Sequence, residues 1–414
     1  MLYYLLVKTK LENIMSKFVS LDDVSVQGKK VLIRVDLNVP MKDGKITNSE
    51  RIIRSAPTIK ELAEKGAKVI VLSHLGRPKG DGFEEEFTLK PIAAALAEAL
   101  AKPVAFVSDC IGNIPKEAIS NMKDGDIIML ENVRFYKAET KNDIEFTKQL
   151  AELGDLYVSD AFSAAHRAHS STEGLAHLLP YAAGRLMEAE LDALEKALGN
   201  PATPVAAIVG GAKVSTKLDV LNNLVKKVQY VIIGGGMANT FLYAMGHNIG
   251  TSLAEKEMVE QCNTIMKAAA ENNSQLVLPV DAVVADKFSN DANIKICGIK
   301  EIPADYMILD AGPKSVENFI NEVLKKSKTL IWNGPLGAFE MPNFAKATKA
   351  LAEFVAESTQ KGNLISIAGG GDTVAALDEF GLADKLTYIS TAGGAFLEWM
   401  EGKELPGVVA LLKK

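Results

Sequence analysis

The chain is poor in cysteine and in long apolar runs, and each shortage removes a class of protein. Its three cysteines, Cys110, Cys262 and Cys297, are odd in number and form no CxxC pair. That excludes a disulfide scaffold and a cysteine-based zinc site, and fits the reducing cytoplasm. No run approaches the roughly 18 apolar residues of a transmembrane helix, so no membrane partner is expected. A net charge of −6 argues against a general nucleic-acid binder. GxxxxGK[ST] is absent, which excludes a P-loop protein. No strand leads into a clean GxGxxG with an acidic residue about 20 positions on, so a dinucleotide fingerprint is also missing.

What is present is material for a large core. The 414 residues are 48% apolar and 24% charged, enough for about two or three domains at roughly 150 residues each. The leading segment "MLYYLLVKTKLENIMSK" lacks a charged n-region and a small-residue cleavage site, so it is not read as a signal peptide. Met15 is the expected natural start, with residues 1–16 an extension outside the fold.

From Lys29 onward, short β-branched runs alternate with helical stretches. Strand candidates in the first half are "KVLIRVDLN", "KVIVLSH", "PVAFVSD", "DIIMLENV" and "LYVSDAF". In the second half they are "VAAIVGG", "YVIIGGG", "QLVLPVD", "MILDAG", "TLIWNG", "LISIAGGG" and "TYISTAGG". "IIRSAPTIKELAEKG", "LKPIAAALAEALA" and "EKEMVEQCNTIMKAAAENN" place apolar residues at helical spacing. Strands apolar on both faces, alternating with helices, indicate parallel sheets covered on each side. About a dozen strands is too many for one open sheet and fits a TIM barrel poorly. The expectation is two α/β domains with a seam at Gly184–Pro204, where Gly-Asn-Pro reads as a helix stop.

In open parallel sheets, ligands bind beyond the carboxyl ends of the strands. In the first half those ends, and the helix opening at Arg51, present Asp36, Asn38, Arg51, His74, Arg77, Glu131, Asn132, Arg134, Asp160, His166, Arg167 and His169. A single arginine here is as readily a surface ion pair as a ligand contact. Arg51, Arg77, Arg134 and Arg167 along one edge of an acidic protein instead suit a small, multiply charged anion, because the planar fork donates two parallel bonds to carboxylate or phosphate. His166 is read as structural.

The second half hands over to glycine: Gly210-Gly211, Gly234 to Gly236, Gly312, Gly334, Gly369 to Gly371 and Gly393-Gly394. Glycine lets backbone approach a ligand, and a following helix N-terminus offers free N–H groups to phosphate. In "GGGDTVAAL", Asp372 is either a helix cap or a ligand for Mg²⁺ shared with phosphates. Lys213 and Lys217, a helical turn apart after Gly210-Gly211, are either a solvated pair or phosphate ligands facing one way.

Together, "RVDLNVP", "SHLGRP", "LENVRF", "AHRAHSS", "GGAKVSTKLDVL", "GGGMANTFL", "WNGPLGAFE", "GGGDT" and "STAGGAFLE" resemble the phosphoglycerate kinase family, in its order and near its spacing, from Val19 to the C-terminus. The resemblance implies two Rossmann-like three-layer domains with parallel sheets facing across a cleft. Residues 17–185 would bind the triose phosphate, 186–200 form an interdomain helix, 201–390 bind nucleotide, and 391–414 return to the first domain. It further implies a monomer that takes 3-phosphoglycerate or 1,3-bisphosphoglycerate and Mg-ATP or Mg-ADP. Asp36, Asn38, Arg51, His74, Leu75, Gly76, Arg77, Arg134 and Arg167 would hold the triose. Lys213, Lys217, Gly236, Gly312, Asn333, Glu340, Gly370, Gly371, Asp372 and Thr373 would serve the nucleotide, with Glu340 near the ribose and Asp372 at the metal. Leu37 stands where the family usually has Phe, and Ser163 where it usually has Gly.

The acceptor in the ATP-consuming direction is a carboxylate of pKa about 4, ionised at neutral pH, so no general base is needed. Catalysis then reduces to alignment and charge stabilisation, for which Arg51, Lys217 and the amide of Gly371 are the candidates. Hinge closure would bring the substrates together and exclude water. The rivals are an NAD-linked dehydrogenase, which needs the missing fingerprint, and a non-catalytic two-lobed anion-binding protein.

Overall fold

The structure, a computed structural model, describes residues 18–413; the expected N-terminal extension and Met15 lie outside them. The chain divides into two compact units, one running up to Asp192 and resuming at Glu404, the other Ala193–Lys403. The first division falls within the helix Arg185–Leu194. Residues 391–403 thus go with the second unit, and the segment that rejoins the first begins at Glu404 rather than at 391.

The first unit is built on a six-stranded sheet. Its strands are β1 (Lys30–Val35), β4 (Lys68–Leu72), β5 (Ala105–Val107), β6 (Ile127–Leu130), β7 (Leu156–Asp160) and β8 (Tyr181–Ala183), in the order β5-β6-β4-β1-β7-β8. All pairings are parallel. A small antiparallel hairpin, β2 (Met41–Lys42) with β3 (Lys45–Ile46), follows β1. Val31, Leu32, Ile33, Val69, Ile70 and Val71 are fully buried, as β-branched and aliphatic residues on both faces of a covered sheet should be. The helix Glu50–Glu64 turns Ile52, Ala56, Ile59 and Leu62 to the core at helical spacing. The helix Lys90–Leu100 begins with Pro in its first turn and stops at Ala101 in a left-handed conformation, φ 49°.

The second unit carries β9 (Val205–Val209), β10 (Tyr230–Ile233), β11 (Gln275–Val277), β15 (Thr329–Asn333), β16 (Ile365–Gly369) and β17 (Tyr388–Ser390). Their order is β11-β10-β9-β15-β16-β17, again all parallel. "MILDAG" does not join this sheet. It becomes β14 (Met307–Ala311) of a separate antiparallel sheet with β12 (Asp281–Ala285) and β13 (Ile294–Gly298), ordered β13-β12-β14. Its apolar run resembles that of a buried parallel strand, and periodicity alone does not say which sheet a strand enters. No helix among the described residues is long and apolar enough to cross a membrane.

Each sheet reverses its winding beside its first strand, between β1 and β7 in one and between β9 and β15 in the other. A crevice opens where loops leave in opposite directions, and both candidate sites lie there.

Candidate active site

In the first unit, Asp36 leaves the end of β1 and is the hub. Its Oδ1 accepts the backbone N–H of Asn38 at 3.1 Å. Its Oδ2 accepts from both the Arg51 guanidinium and the Ser163 hydroxyl, the latter from the loop after β7. Burial disfavours the Asp36 carboxylate. The Arg51 guanidinium, the Ser163 hydroxyl and the Arg34 charge oppose burial and favour the ionised form.

The loop after β4 is tied from several sides. Asn38 Oδ1 accepts the N–H of Gly76 at 2.9 Å, and Arg134 Nη1 donates to the Gly76 carbonyl at 2.8 Å. Asn132 Nδ2 donates to the carbonyls of Leu75 and Phe87, each at 2.9 Å. Gly76 has φ +61° and a Cβ there would lie 2.4 Å from the Phe87 ring, so glycine is required. Glu131, although at a strand end, is occupied in structure: it accepts from Leu89 N, Asn132 N and Thr88 Oγ1.

Arg77, Arg134 and Arg167 line one cavity of about 440 Å³ with Lys79, Lys137 and His169, and no carboxylate lines it. Burial and the neighbouring Arg34 and Arg167 lower Arg134 to about 10, so it stays cationic at neutral pH. Burial and the surrounding arginines push His169 down to about 4 and keep it neutral. His74 is buried, and burial with the Arg34 charge pushes its pKa well below the ordinary value. Asn38, Leu75 and Gly76 also line a separate cavity of about 380 Å³ on the Phe87 side of the loop. Lys79, Tyr136 and Lys137 join the arginine cavity from the same two loops, a few residues beyond Arg77 and Arg134.

In the second unit, Lys217 sits across the winding reversal. Its Nζ donates to the carbonyls of Gly210, after β9, at 2.6 Å and of Asn333, at the end of β15, at 2.9 Å. Burial lowers its pKa to about 8, with Asp372 opposing the shift. Asn333 Nδ2 donates to Gly369 O at 2.8 Å, and Thr373 Oγ1 accepts the N–H of Gly334 at 2.6 Å. The helix Gly371–Glu379 starts from Gly370 at φ 97° with no side chain capping it. Asp372 therefore is not its cap. It lies in the first turn, where the unfilled N–H groups of the helix favour an anion.

Two cavities meet at this point. One, about 250 Å³, is lined by Lys217, Asn333, Gly334, Gly370 to Thr373, Gly393 and Gly394. The other, about 510 Å³, has largely apolar walls including Leu242, Leu253, Leu336 and Phe339, with Gly236, Glu340 and Asp372 among its lining. Asp372 belongs to both. Its hard carboxylate oxygens suit Mg²⁺, and no cluster of three or more acidic, His or Cys side chains among the described residues competes for it.

Lys213 and Gly312 line neither cavity. Lys213 is exposed and precedes the first helical turn, Ser215–Lys217, so the helical spacing that would align it with Lys217 does not apply. Gly312 is glycine for another reason: a Cβ would lie 2.3 Å from the Asp281 carboxyl carbon, and Asp281 accepts the amides of Lys314 and Ser315 that open the next helix. Gly236 does line the cavity, but a Cβ there would also lie 2.5 Å from the Ala212 carbonyl.

The sequence model of the phosphoglycerate kinase family matches residues 21–403. The chain is 59% identical over 398 residues to the phosphoglycerate kinase of Mesorhizobium japonicum, covering 96% of this chain and 100% of that one. It is 58% identical over 398 residues to that of Rhizobium meliloti, at 96% and 99% coverage. Among solved structures, phosphoglycerate kinase from Coxiella burnetii superposes with a TM-score of 0.89 at 46% identity, covering 95% of this chain and 98% of that one. The enzyme from Pyrococcus horikoshii OT3 gives 0.77 at 33% identity, with the same coverages. These relationships set aside the dehydrogenase and the non-catalytic binder, and the chain belongs to the phosphoglycerate kinase family.

Proposed function

We propose that the family's reaction, reversible phosphoryl transfer between 1,3-bisphosphoglycerate and ADP, is divided between the two units. The first takes the triose. Its phosphate dianion matches the carboxylate-free cavity of Arg77, Arg134 and Arg167, and its carboxyl end matches Arg51 with Asp36, Asn38 and His74. The second takes the nucleotide, its base and ribose in the apolar cavity near Glu340 and its phosphates against Lys217 and the amides of Gly370 to Thr373. The observation that carries this reading is that Asp372 lines both nucleotide cavities, where the triphosphate would pass from one to the other.

Asp372 would hold Mg²⁺, which when bound neutralises charge on the phosphate oxygens. The chain's own task is then positioning. Arg51 orients the attacking carboxylate, already ionised without a base, while Lys217 and the Gly371 amide stabilise charge on the moving phosphoryl group. Direct transfer requires donor and acceptor oxygens in line, so the units close on the two substrates during turnover. The three free cysteines support work in a reducing cytoplasm.

The test is ADP formation from ATP with Mg²⁺, with and without 3-phosphoglycerate. Release that depends on the triose supports the reading; equal ATP hydrolysis without it overturns the reading.

A further inference from the structure

One cation stands inside the buried strand β1. Arg34 is only 1% exposed. Its Nε donates to Ser171 Oγ at 2.8 Å, its Nη1 donates to the Val35 carbonyl, and its Nη2 lies 2.9 Å from Nδ1 of His74. Behind it, the fully buried Glu139 accepts from Ser171 N at 2.9 Å and Ser171 Oγ at 2.6 Å, giving the buried charge an acidic neighbour.

The Arg34–His74 bond can run in one sense only. A guanidinium offers N–H groups and no lone pair, and it does not deprotonate in proteins. Arg34 therefore donates and Nδ1 accepts. An accepting Nδ1 carries a lone pair, so the single proton of the neutral ring sits on Nε2.

We propose that Arg34 is a positioning residue for the triose site: it fixes His74 as the neutral Nε2–H tautomer, so that the ring offers the substrate a hydrogen-bond donor without a charge. This rests on the reading of His74 as a triose-binding residue. A protonated His74 would add a cation to Arg34, Arg51 and Arg134, with Asp36 as the facing counter-charge, and burial disfavours that state further. The donor is therefore present at all working pH values, whereas an ordinary histidine would change state near pH about 6.5.

The tautomer can be read directly. The full chain has five histidines, so ring-¹⁵N labelling gives a sparse spectrum, with His74 assigned by His74→Gln. Without substrate, His74 should remain an Nε2–H neutral ring from about pH 5.5 to about pH 8. An imidazolium at about pH 6, or a proton on Nδ1, overturns the proposal. In Arg34→Met the ring should begin to titrate. The KM for 3-phosphoglycerate should rise about tenfold and become pH-dependent, with kcat changed less. Arg34→Lys, which keeps a donor, should recover part of that loss. A folded Arg34→Met with unchanged KM and pH profile overturns the proposal; if that variant does not fold, the wild-type spectrum decides. A normal KM in His74→Gln instead overturns the triose reading of His74 and leaves the tautomer result standing.

Discussion

The two candidate sites are lined by opposite means, side-chain charge in one unit and main chain in the other. The first uses side-chain charge: three arginines and two lysines line one cavity, and a fourth arginine is held on Asp36. The second uses main chain. It brings glycines and an uncapped helix N-terminus together around one half-buried lysine. Side-chain forks suit a small free dianion that must be captured whole. A backbone cradle lies flat against a phosphate chain and leaves room for a metal. Loss of a side chain should therefore hurt the first site through affinity, and loss of the lone cation should hurt the second through turnover.

The largest effect is expected from Lys217→Ala. Turnover should fall by about 10²- to 10³-fold with little change in the KM for 3-phosphoglycerate, as when a group acting on the transition state is removed. Near-normal kcat would erase the contrast between the units. The wild type offers a second reading of the same residue. Burial sets Lys217 at about 8 in the free protein, so the required cation is present below that pH and lost above it. The kcat/KM for nucleotide should then decline as pH rises through about 8, and a flat profile to about pH 9.5 would contradict the role.

A glycine variant sharpens the comparison. Gly370 has φ +97°, and a Cβ would meet Asn333 Nδ2 at 2.6 Å. Gly370→Ala should displace the helix start, raising the KM for ATP about tenfold or more while triose binding in calorimetry stays normal. Equal weakening of both ligands would mean that the change is global. Arg77→Ala should do the reverse. It should raise the KM for 3-phosphoglycerate about tenfold, with kcat for saturated enzyme within about threefold. An unaltered KM would remove Arg77 from the site.

The smallest effect is expected at Ser163. Ser163 donates to the Asp36 oxygen that also accepts Arg51. Ser163→Gly should raise the KM for 3-phosphoglycerate only about two- to fivefold, the low end for one hydrogen bond, because Asp36 keeps its other donors. A hundredfold loss would show that the serine does more than steady Asp36.

Much of both sites was legible in sequence because parallel α/β sheets deliver functional residues at strand ends. "VIVL" followed by "SHLGRP" marks such an end without any coordinates, and β4 does stop at Leu72. Arg77, Arg134 and Arg167 could be grouped on that ground, and one cavity gathers them. Lys213 and Gly312 could not be sorted the same way. Being near a strand end in sequence does not fix the direction of a loop, and at Gly312 the Asp281 carboxylate already leaves no room for a side chain. Arg34 was passed over as part of the strand "KVLIRV". An arginine among fully buried aliphatics was the available signal.

Residue order alone was enough to specify two parallel α/β units, the chemistry each strand end could offer, and the family. Those follow from local periodicity and residue type, which act over a few residues. Tertiary structure decided which strand ends meet, where the chain returns to its first unit, and which nitrogen of His74 carries the proton. These depend on contacts between residues far apart in sequence, such as Arg34 with Ser171 and Lys217 with Asn333. Only burial, which removes water as the alternative partner, makes such hydrogen bonds decisive.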